Sequence, residues 1–413
     1  MLKEISGGVC APKGFKAAGV YCGVKSGHAD APQTILPSAR GKNDLAMILS
    51  ECECSAAAVY TLNRVKAAPI YVTMGNLEDG VCRGIVANSG NANACAPMSH
   101  ENAEAMCQLA AQATGLKPED FAVASTGVIG QTLNIAAIEK GMPGLVSALS
   151  TEGSDAAASA IMTTDTMKKE TAVSVTIGGQ RVTIGAIAKG SGMIHPNMGT
   201  MLCFITTDCA ITSDMLADAL HEIVPRTFNR VTIDGDTSTN DMCVVLANGM
   251  AENPLIEWKD DSYTVFFKTL HHVFEQLARN IAADGEGASK LVTVNVTGAV
   301  NDEEADIAAR AVANSPLVKT CIAGHDCNWG RVAMALGKCG VRFDQEDVSI
   351  DMMGMPVCRD GLTVPFDEDE ALRRFEAPEI VISADLGAGD AATTVWTCDL
   401  THEYISINGD YRS

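Results

Sequence analysis

Apolar and polar positions along this chain follow two periods, separated by stretches rich in glycine and polar residues. A period near 3.6 residues is typical of amphipathic helices, and it is clearest over residues 261–282. Further helices are predicted over 101–114, 135–149 with an interruption at Pro143, 154–161, 214–224 and 303–314. Because proline removes a backbone hydrogen-bond donor, the helix over 135–149 is expected to be interrupted at Pro143.

Short apolar or alternating runs predict strands between these helices. They cover residues 8–24, 57–62, 81–86, 121–124, 201–205, 231–233, 291–296, 348–352 and 379–384. Residues 173–188 predict a hairpin that turns at Gly178-Gly179. Since hairpin signals interrupt any simple βαβ series, we expect an α/β fold, a layered sandwich of mixed β-sheets and helices. With 413 residues, it forms two packed substructures or one large layered domain.

The segment from Lys189 to Asp208, KGSGMIHPNMGTMLCFITTD, changes abruptly in character at its middle. Glycines and a proline break its first half, whereas its second half begins an apolar run at Met201. A loop is therefore predicted to enter a buried strand at Gly199-Thr200. Because glycine lacks a Cβ, the peptide bond after it can be approached closely.

The hydroxyl of Thr200 is well placed in sequence to attack the carbonyl of Gly199. Hydrolysis of the resulting ester would leave Thr200 at the start of a new chain, with its hydroxyl and a free α-amine on one residue. An α-amine of pKa about 7.7–8.0 can act as general base for that hydroxyl. The alternative is a plain surface loop leading into a core strand, and the Gly-Thr dipeptide alone leaves both open.

Composition excludes several classes of protein. Lys and Arg total 30 against 51 Asp and Glu, a net charge of −21, which argues against a nucleic-acid or anionic-membrane surface. The apolar fraction of 47% fits a well-buried globular enzyme. We find no export signal and no apolar run long enough to span a membrane, and we expect a cytoplasmic protein.

Fifteen cysteines are present, and only Cys52 and Cys54 form a close pair. No C-x-x-C or regular Cys/His spacing follows, so the sequence predicts no metal site. We expect reduced and mostly buried thiols. The acidic segment around Asp234, Asp236 and Asp241 lacks the closing glutamate of an EF-hand and is interpreted as scaffold.

Other polar segments carry candidate chemistry, each with a plain alternative. In STGVIG, the backbone amides of a turn at Thr126-Gly127 could converge on a developing oxyanion, or simply end a strand. In ADGEGASK, Glu286 lies between two glycines, which suits either an aimed carboxylate or an exposed turn. Lys189 could hold a carboxylate or be solvated. In HDCNWGR, Cys327 follows His325 too closely for a nucleophilic pair, so that segment is interpreted as structural.

The segment KGSGMIHPNMGTMLCFITTD closely resembles the self-cleavage segment of the glutamate N-acetyltransferase (ornithine acetyltransferase) family of arginine biosynthesis. Further similar segments run from GVCAPKGF through DGDTSTND to INGDYRS, so the resemblance covers nearly the whole chain. The residue before the threonine is usually alanine in that family and is Gly199 here. Cys327 also stands where proline is common, and Ser413 where threonine is usual.

The resemblance implies a role for each matching residue. Thr200 would be the nucleophile and, with Gly199, the cleavage site, and Thr126 and Gly127 would form the oxyanion hole. The implied substrate contacts are Thr166, Lys189, Thr200, Glu286, Asn408 and Ser413. The implied reaction passes acetyl from N2-acetyl-L-ornithine to L-glutamate by a ping-pong mechanism. It requires no cofactor or metal, and whether acetyl-coenzyme A is also a donor stays open.

The resemblance also implies an ornithine acetyltransferase-like fold with autoprocessing of the N-terminal-nucleophile kind. Fragments 1–199 and 200–413 would stay together, and two such pairs would form a heterotetramer. Two rival functions remain: a self-processing aminopeptidase or amidohydrolase that passes the acyl group to water, and an uncleaved binding protein for N-acyl amino acids.

Overall fold

The computed structural model describes residues 2–26, 41–195 and 201–410 of the chain. Its strands, numbered in chain order, are β1 Lys3–Ile5, β2 Phe15–Val20, β3 Leu45–Tyr60, β4 Val81–Asn91, β5 Phe121–Val128, β6 Lys169–Ile177, β7 Gln180–Lys189, β8 Leu202–Thr207, β9 Met242–Ala247, β10 Leu291–Ala299, β11 Ser349–Met352, β12 Met355–Arg359, β13 Leu362–Thr363, β14 Glu379–Asp385 and β15 Ala391–Cys398. The helices are α1 Ala68–Asn76, α2 Ser99–Thr114, α3 Ile135–Ser147, α4 Ser154–Ile161, α5 Ser213–Ile223, α6 Asp261–Ala283, α7 Asp302–Ala313, α8 Pro316–Ala323, α9 Trp329–Gly337, α10 Glu368–Arg374 and α11 His402–Asp410.

Two mixed β-sheets form the framework. Among the described residues, the larger sheet has nine strands in the order β1-β6-β7-β8-β9-β3-β4-β5, with β2 paired to β3. The smaller has the order β13-β12-β11-β14-β10-β15. Most neighbours are antiparallel, whereas β4 and β5, β8 and β9, and β10 and β14 run parallel. The prediction of mixed sheets is therefore confirmed.

Helix α6 lies between the sheets, packing on β6 and β7 of the larger and on β10 and β15 of the smaller. Its first turn is capped by Asp260, whose carboxylate accepts the amide of Tyr263 at 2.8 Å. Phe266, Leu270 and Val273, at helical spacing, are fully buried. Burying such a side chain stabilises the fold by about 1.5–3 kcal/mol. The layered α/β sandwich expected from the sequence is present.

Strand β8 has apolar residues on both faces, because helices cover both sides of its sheet. Cys203 and Ile205 belong to the core beneath α5 and α6, while Leu202 and Phe204 pack into the core that includes α4. This double burial explains the unbroken apolar run after the loop. Strands β8 and β9 are inserted between β7 and β3, both of which come from the first 199 residues.

Four predicted elements were wrong in detail. In the segment 8–24, predicted as a strand or strand pair, only Phe15–Val20 forms a strand, and Gly8–Cys10 forms a 3-10 helix. The strand expected over 57–62 is the end of the 16-residue strand β3, whose first half pairs with β2 and β4. Pro143 lies inside α3 without ending it. Burial of Ile138, Met142 and Leu145 on one face offsets the lost backbone hydrogen bond. Residues 231–233 form no strand, and Val231 makes only an isolated bridge to Trp396.

All fifteen cysteines are free thiols and most are buried, as expected. Cys327 packs its sulfur 3.7 Å from that of Met352, in the core of the smaller sheet, which agrees with a structural role. None of the helices formed by residues 2–26, 41–195 and 201–410 combines the length and apolar character needed to cross a bilayer.

Candidate active site

A cavity of about 260 Å³ lies where β5, β7 and β8 converge with two loops and the C-terminal helix. Its walls are polar on several sides and apolar near Met201. The lining residues are Thr126, Gly127, Ile129, Thr163, Thr164, Lys189, Gly192, Met193, Ile194, Met201, Leu202, Ser238, Thr239, Asn240, Asp241, Glu286 and Asn408. The cavity therefore brings Lys189 together with four other candidate site residues from the sequence, namely Thr126, Gly127, Glu286 and Asn408.

Lys189, the last residue of β7, directs its ammonium to two hydroxyls of the cavity. Its Nζ donates to Oγ1 of Thr163 at 2.8 Å and to Oγ1 of Thr126 at 3.5 Å. The side chain is only 9% exposed, and its Nζ lies 3.8 Å from Oδ2 of Asp165. A buried cation beside two hydroxyls suits an anionic group of a ligand.

Thr126 and Gly127 lie within the end of β5, not in a turn as the sequence analysis expected. The pairing of β5 with β4 shifts register at this point, which is typical of a β-bulge. Gly127 has φ 132°, and a Cβ there would lie 2.4 Å from the carbonyl carbon of Gly90. Only glycine therefore fits, and the position expected to supply an oxyanion-hole amide is conformationally fixed.

Asn240 holds this bulge from the side. Its Nδ2 donates to the carbonyl of Ala92 at 2.7 Å and to that of Ser125 at 2.8 Å. The hydroxyl of Ser125 in turn donates to Oδ1 of Asn88 at 2.6 Å. The peptide unit preceding Thr126 is thus fixed by buried amides, which preorganises the adjoining N–H groups.

Glu286 is held by its backbone on one side, and its carboxylate lines the cavity. Its amide donates to the carbonyl of Ser191 at 2.7 Å, and its Oε2 accepts Nδ2 of Asn408 at 2.7 Å. A Cβ at Gly192 would lie 2.3 Å from the carboxyl carbon of Glu286. The absence of a side chain at 192 makes room for that carboxylate.

Thr166 lies outside the cavity lining. Its side chain is exposed, and its hydroxyl and amide both donate to the carboxylate of Asp284. Two neighbouring threonines, Thr163 and Thr164, line the cavity instead. The sequence segment was identified, but the choice among its three hydroxyls needed tertiary structure.

A buried ion network supports this segment from behind. Lys169, 1% exposed, places its Nζ 2.8 Å from Asp165 and 2.5 Å from Asp284. Burial alone would raise the pKa of Asp165, but the charges of Lys189 and Lys169 and the hydrogen bonds from Lys169 and the Gly190 amide hold it well below its usual range. The amide of Gly190 also donates to Asp165 at 2.7 Å. The network therefore fixes the backbone immediately after Lys189.

The acidic loop 234–241, interpreted as scaffold, contacts the segments on both sides of residues 196–200. Asp234 accepts the amides of Met193 at 2.6 Å and Ile194 at 2.9 Å. The hydroxyl of Thr237 donates to the carbonyl of His195 at 2.7 Å. Beyond it, the amide of Met242 donates to the carbonyl of Met201 at 2.9 Å. The loop thus positions the chain before and after the predicted junction.

Gly199, Thr200 and Ser413 lie outside the described residues. Met201, the residue directly after Thr200, lines the cavity. In the described part of the chain, no cluster of three or more His, Cys, Asp or Glu side chains could hold a metal ion. The cavity therefore combines the ammonium of Lys189, the carboxyl groups of Glu286 and Asp241, and several hydroxyls and amides, a set that suits a small amino-acid-like ligand.

The sequence of the chain is similar to a known protein family over most of its length. A model of the ArgJ family matches residues 23–413. The arginine biosynthesis bifunctional protein ArgJ of Symbiobacterium thermophilum is 49% identical over 413 residues, covering 100% of both chains. The protein of the same name from Bacillus anthracis is 42% identical, covering 100% of this chain and 98% of its own.

Two solved structures share sequence with about half of this chain. The structure of arginine biosynthesis bifunctional protein ArgJ from Bacillus halodurans is 44% identical, covers 50% of this chain and 98% of its own, and has a TM-score of 0.49. Ornithine acetyltransferase from Mycobacterium tuberculosis, complexed with ornithine, is 35% identical, covers 48% of this chain and 100% of its own, and has a TM-score of 0.42.

Proposed function

The chain belongs to the ArgJ family, and on that premise we propose that it transfers the acetyl group of N2-acetyl-L-ornithine to L-glutamate. This reaction yields L-ornithine and N-acetyl-L-glutamate. The observation that carries the proposal is the pairing of Lys189 and Glu286 in one small cavity that Met201 also lines. The ammonium suits the α-carboxylate of the donor, and the carboxylate suits the ammonium at the end of ornithine.

The chemistry is a two-step transfer through Thr200. Its hydroxyl attacks the acetyl carbonyl, its α-amine takes the hydroxyl proton, and the departing α-amine of ornithine receives that proton as the C–N bond breaks. The α-amine of glutamate then attacks the ester left on Thr200, and its proton passes through the α-amine of Thr200 to the hydroxyl oxygen as the ester C–O bond breaks. Amide and hydroxyl donors at Thr126 and Gly127 stabilise the oxyanion of each step, a contribution of about 2.7–4 kcal/mol for one such donor.

The free α-amine that this chemistry needs comes from self-cleavage between Gly199 and Thr200. The products are an N-terminal fragment of residues 1–199 and a C-terminal fragment of residues 200–413. Because β8 is paired to β7 on one side, the two fragments would stay associated. We expect two such pairs to form a heterotetramer in the cytoplasm.

We infer the remaining substrate contacts from the resemblance of their sequence segments to those of the family. Thr166, Asn408 and Ser413, with Lys189, Glu286 and Thr200, are the proposed substrate contacts. Asn408 lines the cavity. Thr166 belongs to the segment that also provides Thr163 and Thr164 to the cavity lining. No cofactor is needed for either step. Whether acetyl-coenzyme A also serves as an acetyl donor is tested below.

Denaturing mass spectrometry with N-terminal sequencing tests the proposal. Two fragments, the second beginning TMLCFITTD, are expected, and acetylornithine should add one acetyl group to that fragment. Initial rates against both substrates should give parallel double-reciprocal lines. Thr200→Ala should abolish cleavage and transfer, whereas Thr264→Ala, on the exposed face of α6, should leave both intact.

Each rival function predicts a different outcome. Release of free acetate or of an amino acid without glutamate would favour an aminopeptidase or amidohydrolase. A chain that stays intact and binds acetylornithine would favour a binding protein. Acetyl transfer from acetyl-coenzyme A to glutamate would add a second donor to the proposed reaction.

A further inference from the structure

Asp241 is a buried carboxyl group in the cavity wall that the transfer mechanism does not use. The residue is 2% exposed and precedes β9, whose first residue, Met242, pairs with the start of β8. Its Oδ2 has no hydrogen-bond partner among residues 2–26, 41–195 and 201–410. A polar atom buried without a partner costs about 1–3 kcal/mol. Such an atom in a ligand cavity points to a contact that the ligand supplies.

We propose that Asp241 contacts the substrate directly, its carboxyl donating a hydrogen bond to the α-carboxylate of the N-acetyl amino acid, beside the ammonium of Lys189. This inference rests on the proposed function and adds a specificity residue to it. Lys189 and Asp241 line the same small cavity. A cationic group of a ligand would be repelled there, whereas a carboxylate would be attracted.

The protonation state of Asp241 supports a donor role. Burial raises the pKa of this carboxyl well above its usual range. The hydroxyls of Ser238 and Thr61, the amide of Met201 and the charge of Lys189 oppose that shift without cancelling it. Asp241 therefore keeps its proton at pH values where ordinary aspartates have lost it, and a protonated carboxyl has one O–H to donate.

The O–H group of Asp241 favours a carboxylate as its partner on the ligand. An O–H bond to a carboxylate is charge-assisted and about twice as strong as a neutral hydrogen bond. An ionised Asp241 would instead repel the same carboxylate. The contact should therefore favour substrates that carry a free α-carboxylate, and it should weaken as rising pH removes the proton of Asp241.

The test compares two donors, N2-acetyl-L-ornithine and its α-carboxamide, in the first half-reaction. Acetylation of the processed protein is followed by intact mass, which gives kcat/KM for each donor. Asp241→Leu should lower the value for the carboxylate donor about 10- to 100-fold, as for loss of a hydrogen bond to a charged group. The value for the carboxamide should fall less than about 3-fold. Equal losses for both donors would overturn the inference.

A second variant covers the case in which Asp241→Leu does not fold or process. Asp241→Asn retains a neutral donor, so it should keep a preference for the carboxylate donor, and that preference should change less with pH than in the wild-type protein. In the wild-type protein that preference should decline as pH rises. An identical pH dependence in the two proteins would refute the contact.

Asp208→Asn is the matched control. Asp208 is another buried aspartate whose pKa burial raises, but it lies away from the cavity, accepting the amides of Thr183 and Lys13. Its donor preference should equal that of the wild-type protein. If neither donor acetylated the wild-type protein, both the proposed function and this inference would be rejected. Acetyl transfer without the predicted donor preference would reject only the inference about Asp241.

Discussion

The side-chain amide of Asn408 donates a hydrogen bond of 2.7 Å to the carboxylate of Glu286, although 122 positions separate them in sequence. Helix α11, which contains Asn408, has no buried residue. Glu286, by contrast, is 8% exposed and anchored through its backbone to Ser191. The C-terminal helix thus reaches the cavity through a polar contact and not through a core of its own.

Replacing Asn408 should weaken substrate binding without unfolding the protein. Asn408→Ala removes a donor that orients Glu286, so KM for acetylornithine should rise about three- to ten-fold, the lower end reflecting solvent exposure at Asn408. Initial-rate kinetics measure this change. Ser406→Ala, on the same exposed helix, is the control and should leave KM unchanged; an equal rise there would indicate a general effect of α11.

Gly192→Ala should impair binding of the substrate ammonium while leaving stability nearly intact. The new methyl group would overlap the carboxyl group of Glu286, the mobile end of a side chain, so Glu286 would move aside instead of the backbone. We expect KM for acetylornithine to rise about ten-fold or more, since 1.4 kcal/mol corresponds to a factor of ten. N2-acetyl-L-norvaline, which lacks the terminal amine, should be affected much less.

Gly144→Ala provides the matched glycine control for that experiment. It lies in α3, and a Cβ there would meet nothing within 4 Å. Its kinetics should match the wild-type protein, and its unfolding free energy should rise by about 0.5–1 kcal/mol. Equal KM changes for the two acetylated donors in Gly192→Ala would argue against an ammonium site at Glu286.

Lys169→Met should be among the most destabilising single substitutions in this region. It leaves the buried carboxylates of Asp165 and Asp284 without their shared cation, which costs about 3–5 kcal/mol. Urea unfolding of the processed protein measures the loss. Lys168→Met is the neighbouring control, because its ion pair with Asp155 is solvent-exposed and worth about 0–1 kcal/mol. Similar losses in both variants would contradict a buried network.

The low pKa of Asp165 predicts how stability depends on pH. A carboxyl whose pKa is lower in the folded state stabilises the protein at pH above its unfolded value, about 3.9. That contribution is lost as pH falls from there through the folded pKa. The stability difference between wild-type and Asp165→Asn proteins should therefore stay constant from about pH 5 to 8 and narrow below about pH 4. Narrowing that begins near pH 6 would be inconsistent with this assignment.

Local signals in the sequence predicted the elements that depend on local causes. Helix α6 was predicted because its apolar spacing is regular, and the hairpin of β6 and β7 because two glycines mark its turn. The family assignment drawn from the motifs is confirmed by the match over residues 23–413. The roles of Lys189, Glu286, Asn408, Thr126 and Gly127 stay predictions, although all five residues line one cavity.

Other features required tertiary contacts that no local pattern encodes. The beginning of β3 was missed because its strand character depends on pairing with β2 and β4. Thr163 and Thr164 could not be distinguished from Thr166 without knowing that Asp284 binds the last of these. Asn240 and Asp241 were read as scaffold, because an acidic, turn-rich segment gives no sign of which side chains become buried beside Lys189.

The position of β8 and β9 in the larger sheet has a consequence for the proposed cleavage between Gly199 and Thr200. These strands fill the centre of the sheet, with β7 on one side and β3 on the other. A fragment of residues 1–199 alone would leave β7 and β3 without the strands that pair with them in the centre of the sheet. The sheet would therefore form before the proposed cleavage, and the two fragments would not exchange between molecules, because separating them would require the sheet to come apart.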